Sequence, residues 1–117
     1  MARQYRMPDL MDVRLCDLLD ALGDPVRLHV VKLLLARGEN TCAPLADQVG
    51  VSNSTLTHHL RQMREAGLIR VRPEGVLRWS SLRIDELEQR FPGLFSWLAT
   101  ALINEPMTPT SPQRIAP

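Results

Sequence analysis

Long apolar runs are missing from this chain of 117 residues. The N-terminal stretch MARQYRMPDL lacks the apolar core of a signal peptide, and no segment approaches the roughly 18 consecutive apolar residues of a membrane span. A cytoplasmic location with no membrane partner is therefore expected. Cysteine is scarce as well: Cys16 and Cys42 stand alone, which in a reducing compartment argues against a disulfide framework. There is no Cys-x-x-Cys pair, no glycine-rich phosphate loop, no Ser-His-Asp order and no internal repeat. Nothing reads as an active site or a cofactor cradle, so the expectation is a protein that is not an enzyme and carries no cofactor.

What is present is helical periodicity in a chain the size of one domain. From 10 to 22, Met11, Leu15, Leu18, Leu19 and Leu22 form an apolar stripe that Gly23 closes. Asp24 and Pro25 then have the chemistry of a cap and a first helical position, and the richly apolar stretch to Ala36 predicts a helix at the centre of the core. A short third helix is expected from Cys42 to Val49, with Thr41 as its cap and Leu45, Ala46 and Val49 turned inward. Gly50 suits a left-handed turn, and Ser52 or Asn53 can cap a fourth helix.

That fourth helix organises the functional reading. Leu56, Leu60 and Met63 recur at i, i+4 and i+7, making one buried stripe. The opposite side carries Ser54, His58, Arg61, Gln62 and Glu65, with Asn53 and Thr57 near the start, whereas His59 lies at the flank of the stripe. Helix, tight turn and helix with short hydrogen-bonding side chains at the exposed end suit base edges in a major groove; an ordinary solvated helix face is the plainer alternative. After Leu68 the period shortens to two. Ile69 and Val71 alternate with Arg70 and Arg72, Pro73 to Gly75 supply a turn, and VLRWSSL returns. The result is a hairpin wing with Trp79 and Ile69 packing while Arg72 and Arg78 face out.

Charge supports this direction. The formal net charge is only +1, but Arg61, Arg64, Arg70, Arg72, Arg78 and Arg83 cluster against Glu65 and Glu74, whereas the first helix collects acidic residues. A basic patch within a balanced chain is the footprint of a polyanion binder, here double-stranded DNA. Asn53, Ser54, Thr57 and His58 are candidates for base edges, and Ser52, Thr55, Arg61, Arg72 and Arg78 for phosphates. His58 and His59 have no carboxylate or cysteine near them in sequence, which opposes a nucleic-acid enzyme.

From Ile84 the helical period returns, with Pro92 marking a kink or a first turn. Leu94, Phe95, Trp97, Leu98, Ala101 and Leu102 form a broad apolar band that holds two of the chain's few aromatics. A band this apolar in so small a chain predicts a symmetric homodimer, with Leu15 and Leu19 facing Leu94, Trp97, Leu98 and Leu102 at the interface. The fold is expected to be mainly α with a small β-hairpin, a winged helix-turn-helix in the order α-α-α-α-β-β-α. Residues 1–9 are read as a flexible arm, 10–103 as the DNA-binding and dimerisation domain, and 104–117, rich in Pro, Ser and Thr, as a disordered tail.

ALGDPVRLHVVKLLL, followed by LADQVGVSNSTLTHHLRQMREAGLIRVRPEG and a Trp-containing strand, resembles the ArsR/SmtB family of winged-helix repressors over roughly residues 18–82. The resemblance implies a homodimer joined through its first and last helices, repressing from a palindromic operator. The chain also departs from the family. Members that sense soft metals carry Cys-x-Cys in the third helix, where TCAPLA offers Cys42 alone; members that sense zinc, nickel or cobalt use paired His and carboxylates in the last helix, and no histidine lies between Asp85 and Asn104. No metal site is assigned. Two alternatives stand beside a repressor without those metal sites, for which a small effector is left open: release by a metalloid or oxidant through Cys16 and Cys42, of which Cys42, at a helix start, is the more reactive candidate, and a winged-helix module that binds another protein.

Overall fold

The computed structural model describes residues 6–107. A single 3-10 turn, Leu10–Asp12, leads into α1 (Leu15–Leu22), α2 (Pro25–Arg37), β1 (Glu39–Asn40), α3 (Cys42–Val49), α4 (Asn53–Glu65), β2 (Ile69–Glu74), β3 (Leu77–Leu82), α5 (Ile84–Arg90) and α6 (Leu94–Ile103). The strands form an antiparallel sheet in the order β1-β3-β2.

α2 begins where Asp24 Oδ2 accepts from the amides of Val26 (2.9 Å) and Arg27 (3.0 Å), with Pro25 in the first turn, where its missing N–H leaves no gap. Val26, Val30, Val31 and Leu34 of α2 are buried. Around them lie Leu18 and Ala21 of α1, Leu45, Ala46 and Val49 of α3, Leu56, Leu60 and Met63 of α4, and Phe95, Leu98 and Leu102 of α6. Each buried aliphatic side chain contributes about 1.5–3 kcal/mol of transfer free energy, so α2 is the pivot of the core. Gly50, at φ 88, ends α3 and turns the chain into α4.

Four features differ from the sequence expectation. The first helix starts at Leu15, because Arg90 Nη1 takes the carbonyls of Leu10 (2.7 Å) and Val13 (2.8 Å) as acceptors and leaves that stretch without a helical ladder. Thr41 occupies the cap position of α3 without a side-chain cap bond; Asn40 Oδ1 instead accepts from the Thr41 amide at 2.8 Å. β1 adds a third strand of two residues, paired with β3. The expected last helix is divided at Phe91–Gly93 into α5 and α6, and Glu88 carries the chain across by accepting from the amides of Gly93 (2.9 Å) and Phe95 (2.8 Å).

Residues 6–9, expected within a flexible arm, lie against the body. Arg64 Nε donates to the Arg6 carbonyl at 3.3 Å and Arg83 Nη1 to that of Pro8 at 2.9 Å. Residues 1–5 of that arm and 108–117 of the expected tail fall outside the described residues; Met107 rests on the core. Among the described residues no helix is long and apolar enough to cross a membrane.

Candidate nucleic-acid interface

α4 is fixed at both ends. At its start Ser52 Oγ accepts from the Thr55 amide at 3.1 Å and donates to Thr55 Oγ1 at 3.0 Å. At its end the amides of Leu68 and Gly67 bond the carbonyls of Met63 (2.9 Å) and Arg64 (3.0 Å), a Schellman closure with Met63 and Leu68 both buried. Gly67, at φ 87, is where the N-terminal segment crosses: a Cβ there would stand 2.6 Å from Val13 Cγ2. With Leu56, Leu60 and Met63 turned inward, Ser52, Asn53, Ser54, Thr55, Thr57, His58 and Arg61 are all exposed.

Register decides where the wing arginines go. In the β2–β3 pairing Arg72 stands opposite Trp79, while Val71 pairs with Ser80 and Pro73 with Arg78. Side chains alternate between faces. Arg78 therefore shares the face of Val71 and Ser80, which looks onto α4. Together with Thr57, Leu60, Arg61 and Arg64 of α4 and Cys42 of α3 they line a cleft of about 360 Å³. Arg78 Nη1 donates to the carbonyls of Gly75 (2.9 Å) and Leu77 (2.8 Å), which folds its side chain along the wing.

Arg72 lies on the opposite face, a correction to the expectation that it shares an outward surface with Arg78. Its guanidinium bonds Glu39 Oε1 at 2.7 Å, approaches Glu74 Oε2 at 3.6 Å and lies 5.7 Å from the centre of the Trp79 ring. Trp79 in turn donates to Glu74 at 3.0 Å. Arg70 is on this face too and pairs with Glu86. Arg83, counted in the basic patch by sequence, is 1% exposed: it bonds the carbonyls of Pro8 (2.9 Å) and Gly67 (3.2 Å) and the Glu86 carboxylate (3.1 Å). Its hydrogen bond to Glu86 is the main reason that carboxyl is held below its usual range. Six clustered arginines thus separate into three on the α4–wing cleft, two on the far sheet face and one in the core.

The flank of α4 carries a network that sequence reasoning missed. Arg27 reaches from α2 to Gln62 Oε1 (2.6 Å) and His59 Nδ1 (3.2 Å), and Asp24 Oδ2 lies 3.9 Å from the same histidine nitrogen. Half-burial holds the His59 imidazole below its ordinary value, with Asp24 partly opposing and Arg27 and His58 adding to the shift. The signal in the sequence was Arg27 itself, a cation in the first turn of a helix, where the macrodipole favours an anion.

Cys42 Sγ donates to the Asn53 carbonyl at 3.5 Å and lies 3.4 Å from Thr57 Oγ1, while Cys16 is exposed on α1. Among the described residues no group of three or more His, Cys, Asp or Glu is placed to hold a metal ion. The expected interface residues divide as well. Leu15, Leu19 (56%) and Trp97 (66%) are exposed and Leu94 is half-buried, but Leu98 and Leu102, each 3% exposed, continue the inward stripe of Phe95 and belong to the protomer's own core.

A family model for a helix-turn-helix domain matches residues 22–72. The uncharacterized HTH-type transcriptional regulator YceK of Bacillus subtilis is 30% identical over 79 residues, covering 67% of this chain and 79% of the relative. The transcriptional repressor BigR of Xylella fastidiosa superposes with a TM-score of 0.61 at 28% identity, covering 78% of this chain and 88% of that one. At 24% identity, the homodimeric winged helix-turn-helix DNA-binding domain Mb0332 of Mycobacterium bovis, a possible ArsR-family regulator, shares the fold with a TM-score of 0.62, covering 81% of this chain and 85% of its own.

Proposed function

This chain belongs to the ArsR/SmtB family of winged helix-turn-helix transcriptional regulators, and from that premise we propose that it acts in the cytoplasm as a dimeric, sequence-specific repressor of a palindromic operator. The observation that carries the reading is the exposed, capped start of α4 beside a cleft bearing Arg61, Arg64 and Arg78. α4 enters the major groove, with Asn53, Ser54, Thr57 and His58 toward base edges. Ser52, Thr55, Arg61 and Arg78 hold phosphates of the strand that passes between α4 and the wing. Arg72, paired with Glu39 on the far face, orients the wing. Assembly uses Leu15 and Leu19 of α1 with Trp97 of α6, beside a groove of about 280 Å³ that also includes Leu22 and Ala101; the homodimeric state of Mb0332 supports this. Selection of bound DNA from a random pool tests the proposal. A palindromic consensus with affinity that falls steeply with salt is expected, and recovery of no consensus with a flat salt response would favour a protein-binding module instead.

A second reading, release of the operator by arsenite or peroxide acting at Cys42, is favoured by the position of its thiol beside Thr57. Release by either reagent should vanish in Cys42→Ser; release that persists there and in Cys16→Ser/Cys42→Ser refutes it.

A further inference from the structure

Arg27 stands in the first turn of α2, but its guanidinium binds two other helices. Nε donates to the Ala21 carbonyl at 2.8 Å and Nη2 to that of Asp20 at 3.1 Å, both in the last turn of α1. A helix C-terminus presents unpaired carbonyls and the negative end of the macrodipole, so a planar cation is its natural closure. The same fork gives Nη1 to Gln62 Oε1 at 2.6 Å and stands 3.2 Å from His59 Nδ1, two residues at i and i+3 on one side of α4. Asp24, which caps α2, sets the backbone from which this fork projects. The bridge spans a cleft of about 290 Å³ between Asp17 and Asp20 of α1 and Glu65 of α4. One rigid group therefore fastens the end of α1 to the middle of α4, and α1 is the helix whose Leu15 and Leu19 are exposed.

We propose that Arg27 is a positioning residue that transmits the seat of α1 to α4, fixing the angle between the two α4 helices of a dimer and hence the half-site spacing the protein accepts. This rests on the dimeric, operator-binding reading above. A lysine cannot replace it, because a point charge on a flexible stem cannot hold four acceptors on two helices in one plane.

The test uses the full chain and three duplexes built from the selected consensus: a half-site, the palindrome, and the palindrome with one base pair inserted at its centre. Gln62→Leu removes the shorter of the two α4 contacts, at an exposed position, and leaves Arg27 on α1 with only the longer approach to His59; Arg27→Lys removes the fork. The parent should prefer the native spacing by about tenfold, an ordinary size for coupling between sites. Both variants should remain dimeric by sedimentation and keep half-site affinity, while the spacing preference falls to about twofold. The double variant should lose no more than Arg27→Lys alone, since the second change falls on a link already broken. Spacing preference retained in Gln62→Leu would overturn the proposal. So would a loss that is equal on all three duplexes and tracks a lowered melting temperature, which is the mark of a merely structural residue. A parent that is monomeric, or that binds none of the duplexes, overturns the dimeric operator reading itself, and that result is separate because it is seen before any variant is compared.

Discussion

His58 and Arg78 are both assigned to DNA contact in the proposed reading, yet their substitutions should behave differently. His58 is exposed beyond the first turn of α4, where base edges come within reach, so His58→Ala should alter the consensus recovered by selection and leave affinity for unrelated DNA within about twofold. Arg78, on the cleft face of the wing, should act on the backbone: Arg78→Ala should weaken all sequences alike and reduce the salt slope by about one. Arg83 is a structural residue instead. Arg83→Met leaves the carbonyls of Pro8 and Gly67 without their donor and Glu86 with Arg70 alone, and chemical denaturation should show a loss of about 3 kcal/mol. The histidines set the pH response. His59 is held below its ordinary value of 6.5 mainly by burial, and His29 in the same direction by burial and then by Lys32. The unfolded chain therefore binds these protons more readily than the native one. Stability is complete above about pH 6.5 and declines as pH falls through the lowered native values. The melting temperature should drop between about pH 7.5 and about pH 5.5, and by less in His59→Gln.

Among the elements, those whose boundaries carry their own chemistry were legible in the amino-acid order alone. Asp24-Pro25 opens α2, Gly50 and Ser52 frame the helix-turn-helix, and the i, i+4, i+7 stripe of α4 is buried where its period puts it. What sequence could not supply was set by distant partners. The break before α1 exists because Arg90 captures two carbonyls from 80 and 77 positions away. β1 has too few residues for any period, and Pro92 left a kink and the first turn of a new helix as open alternatives, which the split into α5 and α6 decides. The site was half legible for the same reason. The exposed polar end of α4 follows from one helix, but the sorting of arginines depends on cross-strand register, and the inward turn of Leu98 and Leu102 depends on how α6 seats. Gly67 tests this dependence on distant contacts. Gly67→Ala must hold a side chain at φ 87 and push Val13 aside, so a loss of about 2–3 kcal/mol is expected in denaturant, with reduced protection of the segment around Val13 in hydrogen exchange.

For the whole molecule, the apolar surface that remains exposed on α1 and α6 is the feature that a lone protomer leaves unexplained. Trp97→Glu places a charge at its centre without disturbing Phe95, Leu98 or Leu102 beneath. Sedimentation should then give monomers, with palindrome affinity down on the order of 10²-fold and half-site affinity retained. A monomeric parent at micromolar concentration would remove the basis for this. The segment that holds Pro8, Leu10 and Val13 has a consequence of another kind, in time. Its partners Arg83 and Arg90 lie 75 to 80 residues downstream, so during synthesis it emerges well before either partner and waits until both have been made. Closing so long a loop is entropically unfavourable until β2, β3 and α5 already stand together. Docking of this segment is therefore expected late in folding: it is made before its partners and takes its seat after them.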